Sequence, residues 1–173
     1  ESSVGTYQWG TNSLSVINAA AAWDRLRGFA QIGVVDQGVY LDPATQQTHP
    51  DLSGNVRKHF SRAAVPGQSG LGSFFAVDDD IVEAAADDVT QPPPKGHGTH
   101  VAGIIAGESD VITGVAPNSW LYAIKVLDSE GGGYESDIIS GIEYTVDPNN
   151  DGNFDDKLDV VNMSLGGEAQ KED

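Results

Sequence analysis

Short apolar runs separated by helix-like segments constrain the fold of this chain more than any other feature. Three runs have the length and β-branched content of buried strands, at residues 31–35, 121–127 and 158–165. Residues 56–60 are a weaker strand candidate, and helical patterns cover residues 17–26, 98–107 and 134–146. Strands that alternate with helices predict a mostly parallel sheet with helices on both faces, which is a three-layer α/β/α architecture.

The remaining residues are predicted to form loops within one domain. Residues 39–55 are rich in proline and polar side chains, and residues 61–95 form an acidic, proline-rich insertion that includes Asp78, Asp79 and Asp80. A chain of 173 residues is long enough to bury one sizeable core. We therefore expect residues 1–173 to belong to a single domain.

The charge of the chain argues against several classes of partner. Lys and Arg number 9 against 26 Asp and Glu, which gives a formal net charge of −17. Nucleic acids and anionic membranes attract basic surfaces, so neither is expected as a partner. The sequence has no cysteine for disulfides or thiolate metal sites, and no apolar run approaches the roughly 18–20 residues that span a bilayer. It begins at Glu1 without an initiator methionine or a signal peptide, which suggests a mature, processed or truncated chain.

An aspartate and a histidine are candidates for acid–base catalysis. Asp36 ends an apolar strand, and His97 lies between Gly96 and Gly98 at the start of a short apolar helix. A serine nucleophile needs a base that takes its proton and a buried acid that orients the imidazole, so His97 suits the base and Asp36 the acid. Each residue alone would be a weak signal. His100 follows His97 by three residues without the glutamate of a zinc-binding HExxH motif, and we interpret it as structural.

These residues lie in motifs that resemble those of the subtilisin-like serine proteases, the subtilases. The most specific motifs are GHGTHVAG at 96–103, GVAP at 114–117 and NMSLG at 162–166. Further similar segments are YQWG at 7–10, INAAAAW at 17–23, VVDQG at 34–38, HPDL at 49–52 and AIKVL at 123–127. The resemblance implies a subtilisin-like fold, incomplete in this chain, and hydrolysis of peptide bonds by an Asp-His-Ser triad. In that triad Asp36 would be the acid and His97 the general base.

The resemblance also implies a cleft in which an extended peptide lies as an added strand between two segments of the enzyme. The residues that it places there are Gly131, Gly132, Gly133, Tyr134, Ser164, Leu165, Gly166 and Gly167. Tyr134 would flank the pocket for the fourth substrate residue upstream of the cut. Glycines let two backbones approach closely, but they are also common turn residues, which is the alternative interpretation.

The chain departs from the subtilase pattern at several points. Gln37 follows the acid, where the family usually has serine or threonine. Residues 108–113 are too short for the calcium loop that many bacterial subtilisins carry at this point, although Asp51 persists. The oxyanion-hole asparagine and the Gly-Thr-Ser-Met-Ala nucleophile segment have no counterpart. We therefore expect residues 1–173 to be the N-terminal part of a catalytic domain that a remaining C-terminal polypeptide completes, with a peptide or protein substrate and a propeptide as further partners.

A second loop has the residue pattern of a calcium site. Oxygen-bearing side chains alternate at Asp147, Asn149, Asp151, Asn153 and Asp155, with Gly152 at loop position six. This spacing matches the first half of an EF-hand loop, but position twelve is Leu158 instead of a bidentate glutamate. We expect structural Ca²⁺ with fewer protein ligands and added waters, and a plain polar turn is the alternative. The acidic residues 78–80 lack this spacing and are a weaker candidate.

Together these features predict the N-terminal part of a secreted, acidic, calcium-stabilised serine endopeptidase. The alternative is a non-catalytic peptide-binding fragment or pseudoprotease, which Gln37 and the missing nucleophile favour. The intact GHGTHVAG motif favours the enzyme, because a binding module does not need a histidine between two glycines.

Overall fold

A parallel sheet of four strands lies at the centre of the computed structural model, which describes residues 17–40, 47–52, 54–57, 62–63, 96–110, 112–128 and 131–167. The strands are β1 (Gln31–Asp36), β2 (Arg62–Ala63), β3 (Trp120–Lys125) and β4 (Val160–Asn162). Their order in the sheet is β2-β3-β1-β4, and each of these pairings is parallel. In the central pairing Gln31 lies opposite Trp120 and Asp36 opposite Lys125, so β1 and β3 end at the same level.

Helices precede or separate these strands along the chain. They are α1 (Ala19–Trp23), α2 (His97–Ala106) and α3 (Glu135–Val146), with 3-10 turns at Pro50–Leu52 and Phe154–Asp156. α2 precedes β3, and α3 forms the crossover from β3 to β4. None of the helices among the described residues is long and apolar enough to cross a membrane.

The two faces of the sheet carry separate apolar clusters because successive strand residues point to opposite sides. On one face Val34 and Leu121 pack with residues of α2 such as Val101 and Ala102. On the other face Val35, Tyr122 and Ile124 pack with Tyr144 of α3 and with Leu158. Helices therefore cover both faces of β1 and β3, and the predicted α/β/α architecture is confirmed.

The bounds of several elements differ from those predicted. α1 is shorter than residues 17–26, because Asn18 has a left-handed backbone (φ 51°) and the helix starts after it. β4 covers three residues of the predicted 158–165, because its pairing with β1 runs from Val160 to Asn162, and Leu158 packs into the core ahead of the strand. Val56 forms a single parallel bridge to Leu121, and residues 58–60 lie outside the described ranges. Of the predicted insertion at 61–95, the structure describes β2 alone, so the acidic residues 78–80 also lie outside.

Candidate active site

Asp36 is the last residue of the central strand β1 and is completely buried, with 0% of its surface exposed. A buried carboxylate needs hydrogen-bond donors to offset the loss of water. The backbone N–H of Gln37 donates to Asp36 Oδ1 at 2.8 Å, and the imidazole of His97 supplies a second contact. The strand end thus presents a charged group that the fold holds in one orientation.

His97 is the first residue of α2, and its Nδ1 lies 2.8 Å from Asp36 Oδ1 and 3.0 Å from Oδ2. When Nδ1–H donates to this carboxylate, Nε2 keeps its lone pair and can accept a proton. The side chain of His97 is 47% exposed, whereas that of Asp36 is inaccessible. The pair therefore combines a sequestered acid with a base that a reactant can reach.

The start of α2 is held against the turn after β1 by close backbone contact. A Cβ at Gly98 would collide with the carbonyl oxygen of Gly38, and it would lie 3.3 Å from Asp36 Oδ1. The backbone N–H of Tyr40 donates to Thr99 Oγ1 at 2.7 Å. The absence of a side chain at position 98 thus allows the approach that brings the imidazole of His97 to Asp36.

The two predicted substrate-binding segments follow the strands on either side of β1. Residues 131–134 come after β3, and residues 164–167 come after β4. Parallel strands end at the same edge of the sheet, so both segments emerge from the edge that carries Asp36. Seven of the eight predicted residues are exposed, and Leu165 is half-buried against the α3 side of the core. Ser164 Oγ donates to Asn162 Oδ1 at 2.9 Å.

Asp128 organises the first of these segments into a turn. Its backbone N–H donates to the carbonyl of Gly132 at 2.7 Å, and its Oδ1 accepts from the Gly132 N–H at 2.8 Å. Its carbonyl accepts from the Gly131 N–H at 3.1 Å and from Gln37 Nε2 at 3.0 Å. Gly131 has φ +86°, a conformation that glycine adopts readily.

The side-chain bond from Gln37 to Asp128 was not among the features predicted from the sequence. Gln37 is 4% exposed, and a buried amide side chain is expected to find a partner. Its place directly after an apolar strand was therefore a signal that it contacts the protein interior. His100, interpreted as structural, is exposed on α2.

The predicted calcium loop connects α3 to β4 and is stabilised by its own side chains. Asp147 Oδ2 accepts from the Gly152 N–H at 2.9 Å, and Asn149 Oδ1 accepts from the Asp151 N–H at 2.9 Å. Asp151 Oδ1 accepts from the Asn153 N–H at 2.7 Å. Within the described ranges, no three His, Asp or Glu side chains converge as a metal site would require. The carboxylate and amide oxygens of the loop suit a hard cation in kind, but its carboxylates are not gathered around one point.

Comparison with known proteins gives a consistent result. The sequence profile of the Subtilase family matches residues 30–173. A subtilisin of Bacillus pumilus is 40% identical over 141 residues, which cover 79% of this chain and 37% of the relative. Thermitase of Thermoactinomyces vulgaris is 34% identical over 155 residues, covering 87% of this chain and 43% of the relative. An intracellular serine protease of Paenibacillus polymyxa is 33% identical over 157 residues, which cover 89% of this chain and 38% of the relative. The chain thus spans less than half the length of each of these relatives.

Proposed function

This chain belongs to the subtilase family, and on that premise we propose that it supplies the acid and the base of a serine endopeptidase. The observation that carries the proposal is the contact of the exposed His97 Nδ1 with the buried Asp36 carboxylate at 2.8 Å. The names of the relatives, which include a subtilisin and a serine protease, support the same activity.

In the proposed reaction His97 Nε2 takes the proton from a serine hydroxyl as its oxygen attacks the carbonyl carbon of the substrate. The imidazolium then gives that proton to the amine that leaves. Asp36 stays ionised, keeps the ring in the required tautomer and stabilises the positive charge. Because Asp36 is held by the Gln37 N–H and shielded from water, its orientation does not change between these steps.

The substrate class that we assign to this site is an extended peptide. Its main chain would pair with residues 131–133 on one side and residues 164–167 on the other, with Tyr134 beside the pocket for the fourth upstream residue. The position of both exposed segments, on either side of the strand that carries Asp36, supports this assignment. Main-chain pairing would bind peptides of many sequences.

The serine nucleophile and the oxyanion hole are assigned to a remaining C-terminal polypeptide of the same catalytic domain. The apolar edge of the sheet supports this assignment. β4 is the outer strand on its side, with Val160 49% and Val161 38% exposed. Successive strand residues point to opposite faces, so both faces of β4 offer apolar surface that a further part of the domain could cover. A propeptide is a further proposed partner.

Structural Ca²⁺ at residues 147–155 is also proposed, with oxygens from Asp147, Asn149, Asp151, Asn153 and Asp155 as candidate ligands. The bound cation would neutralise the repulsion among the loop carboxylates.

Secretion is proposed as well, and fractionation of the producing culture into cells and medium tests it directly. One relative is named an intracellular serine protease. Recovery of the enzyme inside the cells would therefore contradict the proposal of secretion.

The activity is tested with a fluorophosphonate probe on the complete protease. We expect label on the polypeptide that carries the serine, and no label on that polypeptide when His97→Ala is present. His100→Ala is the matched control, since His100 is an exposed histidine on the same helix and should leave labelling intact. A wild-type protein that binds peptide without taking label would instead be the non-catalytic binding module.

A further inference from the structure

Gln37 contacts both functional parts of the site. Its backbone N–H donates to Asp36 Oδ1 at 2.8 Å, and its side-chain Nε2 donates to the carbonyl of Asp128 at 3.0 Å. The residue is 4% exposed and its bond to Asp36 is buried, whereas its bond to the exposed Asp128 is partly buried. Loss of the side-chain bond would cost a buried amide one of its hydrogen bonds. One residue thereby connects the carboxylate to the turn that includes Asp128 and residues 131–133.

The carbonyl that Gln37 contacts is a fixed point of that turn. The same oxygen accepts from the Gly131 N–H at 3.1 Å, while the Asp128 carboxylate accepts from Gly132 at 2.8 Å. A Cβ at Gly131 would lie 3.4 Å from Gln37 Nε2, so the amide of Gln37 also lies against the turn backbone. A shift of the Gln37 side chain would therefore be transmitted to Gly131.

The segment that leads into the turn is attached to the same place. The carbonyl of Asp36 accepts from the N–H groups of Val126 and Leu127 at 2.9 and 3.3 Å. Lys125 Nζ donates to the carbonyl of Gln37 at 2.7 Å. These bonds fix residues 125–127 against β1, and the bond from Gln37 Nε2 extends the attachment to Asp128, where the turn begins.

We propose that Gln37 is a positioning residue that sets the substrate-binding turn at residues 131–133 relative to Asp36. This inference rests on the proposed function and adds a determinant of its specificity. A peptide long enough to pair with residues 131–133 benefits from the attachment, because the turn is ordered before the peptide binds. A substrate too short to reach that turn does not. Gln37 thus acts on the binding of upstream substrate residues and leaves proton transfer by His97 unchanged.

The test uses Gln37→Met in the complete protease, because methionine keeps the length and volume of glutamine but cannot donate to Asp128. With a tetrapeptide anilide we expect kcat/KM to fall about fivefold to tenfold, mainly through KM, as the loss of one partly buried hydrogen bond implies. With a single-residue ester that does not reach the turn, kcat and KM should change less than twofold. Gln37→Ser introduces the residue type expected from the family resemblance. The serine side chain is too short to reach Asp128, so this variant should show the same changes as Gln37→Met.

Gln31→Met is the matched control. Gln31 lies at the opposite end of β1, and its side chain accepts a hydrogen bond from the hydroxyl of Tyr122. The Gln31→Met variant should keep the wild-type kcat and KM for both substrates. If the Gln37 variants lower kcat/KM equally for the two substrates, or for neither, Gln37 does not position the turn.

Hydrogen exchange separates this inference from the proposed activity. In Gln37→Met and Gln37→Ser the amides of Gly131 and Gly132 should exchange at least several-fold faster than in the wild type, whereas Gln31→Met should not change them. Unchanged exchange in both Gln37 variants overturns the inference whether or not the protein hydrolyses peptides. A wild-type protein that takes no fluorophosphonate label overturns the proposed function alone.

Discussion

Asp36 and His97 are 61 positions apart in the sequence, yet both carboxylate oxygens of the fully buried aspartate lie within 3.0 Å of Nδ1 of the half-exposed histidine. β1 places the carboxylate at the end of the central strand, and the first residue of α2 places the imidazole beside it. The pair therefore depends on the junction between a strand end and a helix start.

Asp36→Asn tests the role of the carboxylate. An amide of the same size keeps the packing, but its NH₂ group favours the tautomer with the proton on Nε2, and such a ring cannot act as a base. In the complete protease kcat should fall roughly 10⁴-fold with little change in KM. Steady-state kinetics with a peptide substrate measure both values.

Asp159→Asn is the control for that change. Asp159 accepts a hydrogen bond from the Gln31 N–H at 2.8 Å, at the far end of β1. Its variant should keep the wild-type kcat. A KM effect without a kcat effect in Asp36→Asn would contradict the assignment of Asp36 as the acid of the triad.

Gly98→Ala tests the close approach of α2 to the turn after β1. A methyl group there would meet the carbonyl oxygen of Gly38, so the helix start must shift. We expect the free energy of unfolding to fall by about 1–3 kcal/mol and kcat by about 10²-fold, since a small displacement of His97 suffices for such a loss. Urea denaturation and peptide hydrolysis give the two values.

The same helix provides a matched control in Gly103→Ala. A Cβ at Gly103 would make an ordinary contact of 3.6 Å with Ile112 Cδ1. Alanine in a helix interior should therefore leave kcat unchanged and raise stability by about 0.5–1 kcal/mol. Stabilisation of similar size by both substitutions would show that helix propensity, and not the contact with Gly38, decides the effect at position 98.

The sequence was sufficient for the fold class because the strand signals were local. The apolar residues of β1 and β3 alternate between two covered faces, and a run that is apolar throughout is typical of a parallel strand with helices on both sides. The bounds were less accurate where one residue decides them, as the left-handed Asn18 does at the start of α1.

The sequence pointed to Asp36 and His97 as a candidate pair, but not to the contacts that hold them. The order of an apolar strand with aspartate and a glycine-flanked histidine pointed to Asp36 and His97. The bond from Gln37 to Asp128 joins residues 91 positions apart, and no local pattern encodes a pairing at that separation. The role of Gly98 likewise requires the position of Gly38 in space.

Tyr122 should make stability depend on pH in the alkaline range. Burial raises the pKa of its hydroxyl above the usual 10.0, and Asp159 adds to this while the charge of Arg57 opposes it. The folded state therefore keeps the proton more tightly than the unfolded state. The resulting contribution to the free energy of unfolding is complete below about pH 10 and is lost as the pH rises through the folded-state pKa.

Tyr122→Phe should lower the free energy of unfolding by about 1 kcal/mol at pH 7, because it removes the bond to Gln31. Above about pH 10 the difference in free energy of unfolding between this variant and the wild type should become smaller. Parallel pH profiles of the free energy of unfolding for wild type and Tyr122→Phe would contradict the prediction.

Removal of calcium tests the loop at residues 147–155. If the loop binds Ca²⁺ in the folded state alone, a chelator lowers the melting temperature, and free Ca²⁺ at about 100 times its Kd stabilises the fold by about 2.7 kcal/mol. Asp151→Asn should reduce this response, because the change removes a carboxylate ligand while its amide oxygen can still accept the bond from the Asn153 N–H. Asp24→Asn makes the same change of charge at an exposed residue after α1 and should retain the full response. Differential scanning calorimetry with and without chelator measures all three proteins. A wild-type melting temperature that the chelator does not change would leave the loop as a turn stabilised by its own Asx hydrogen bonds.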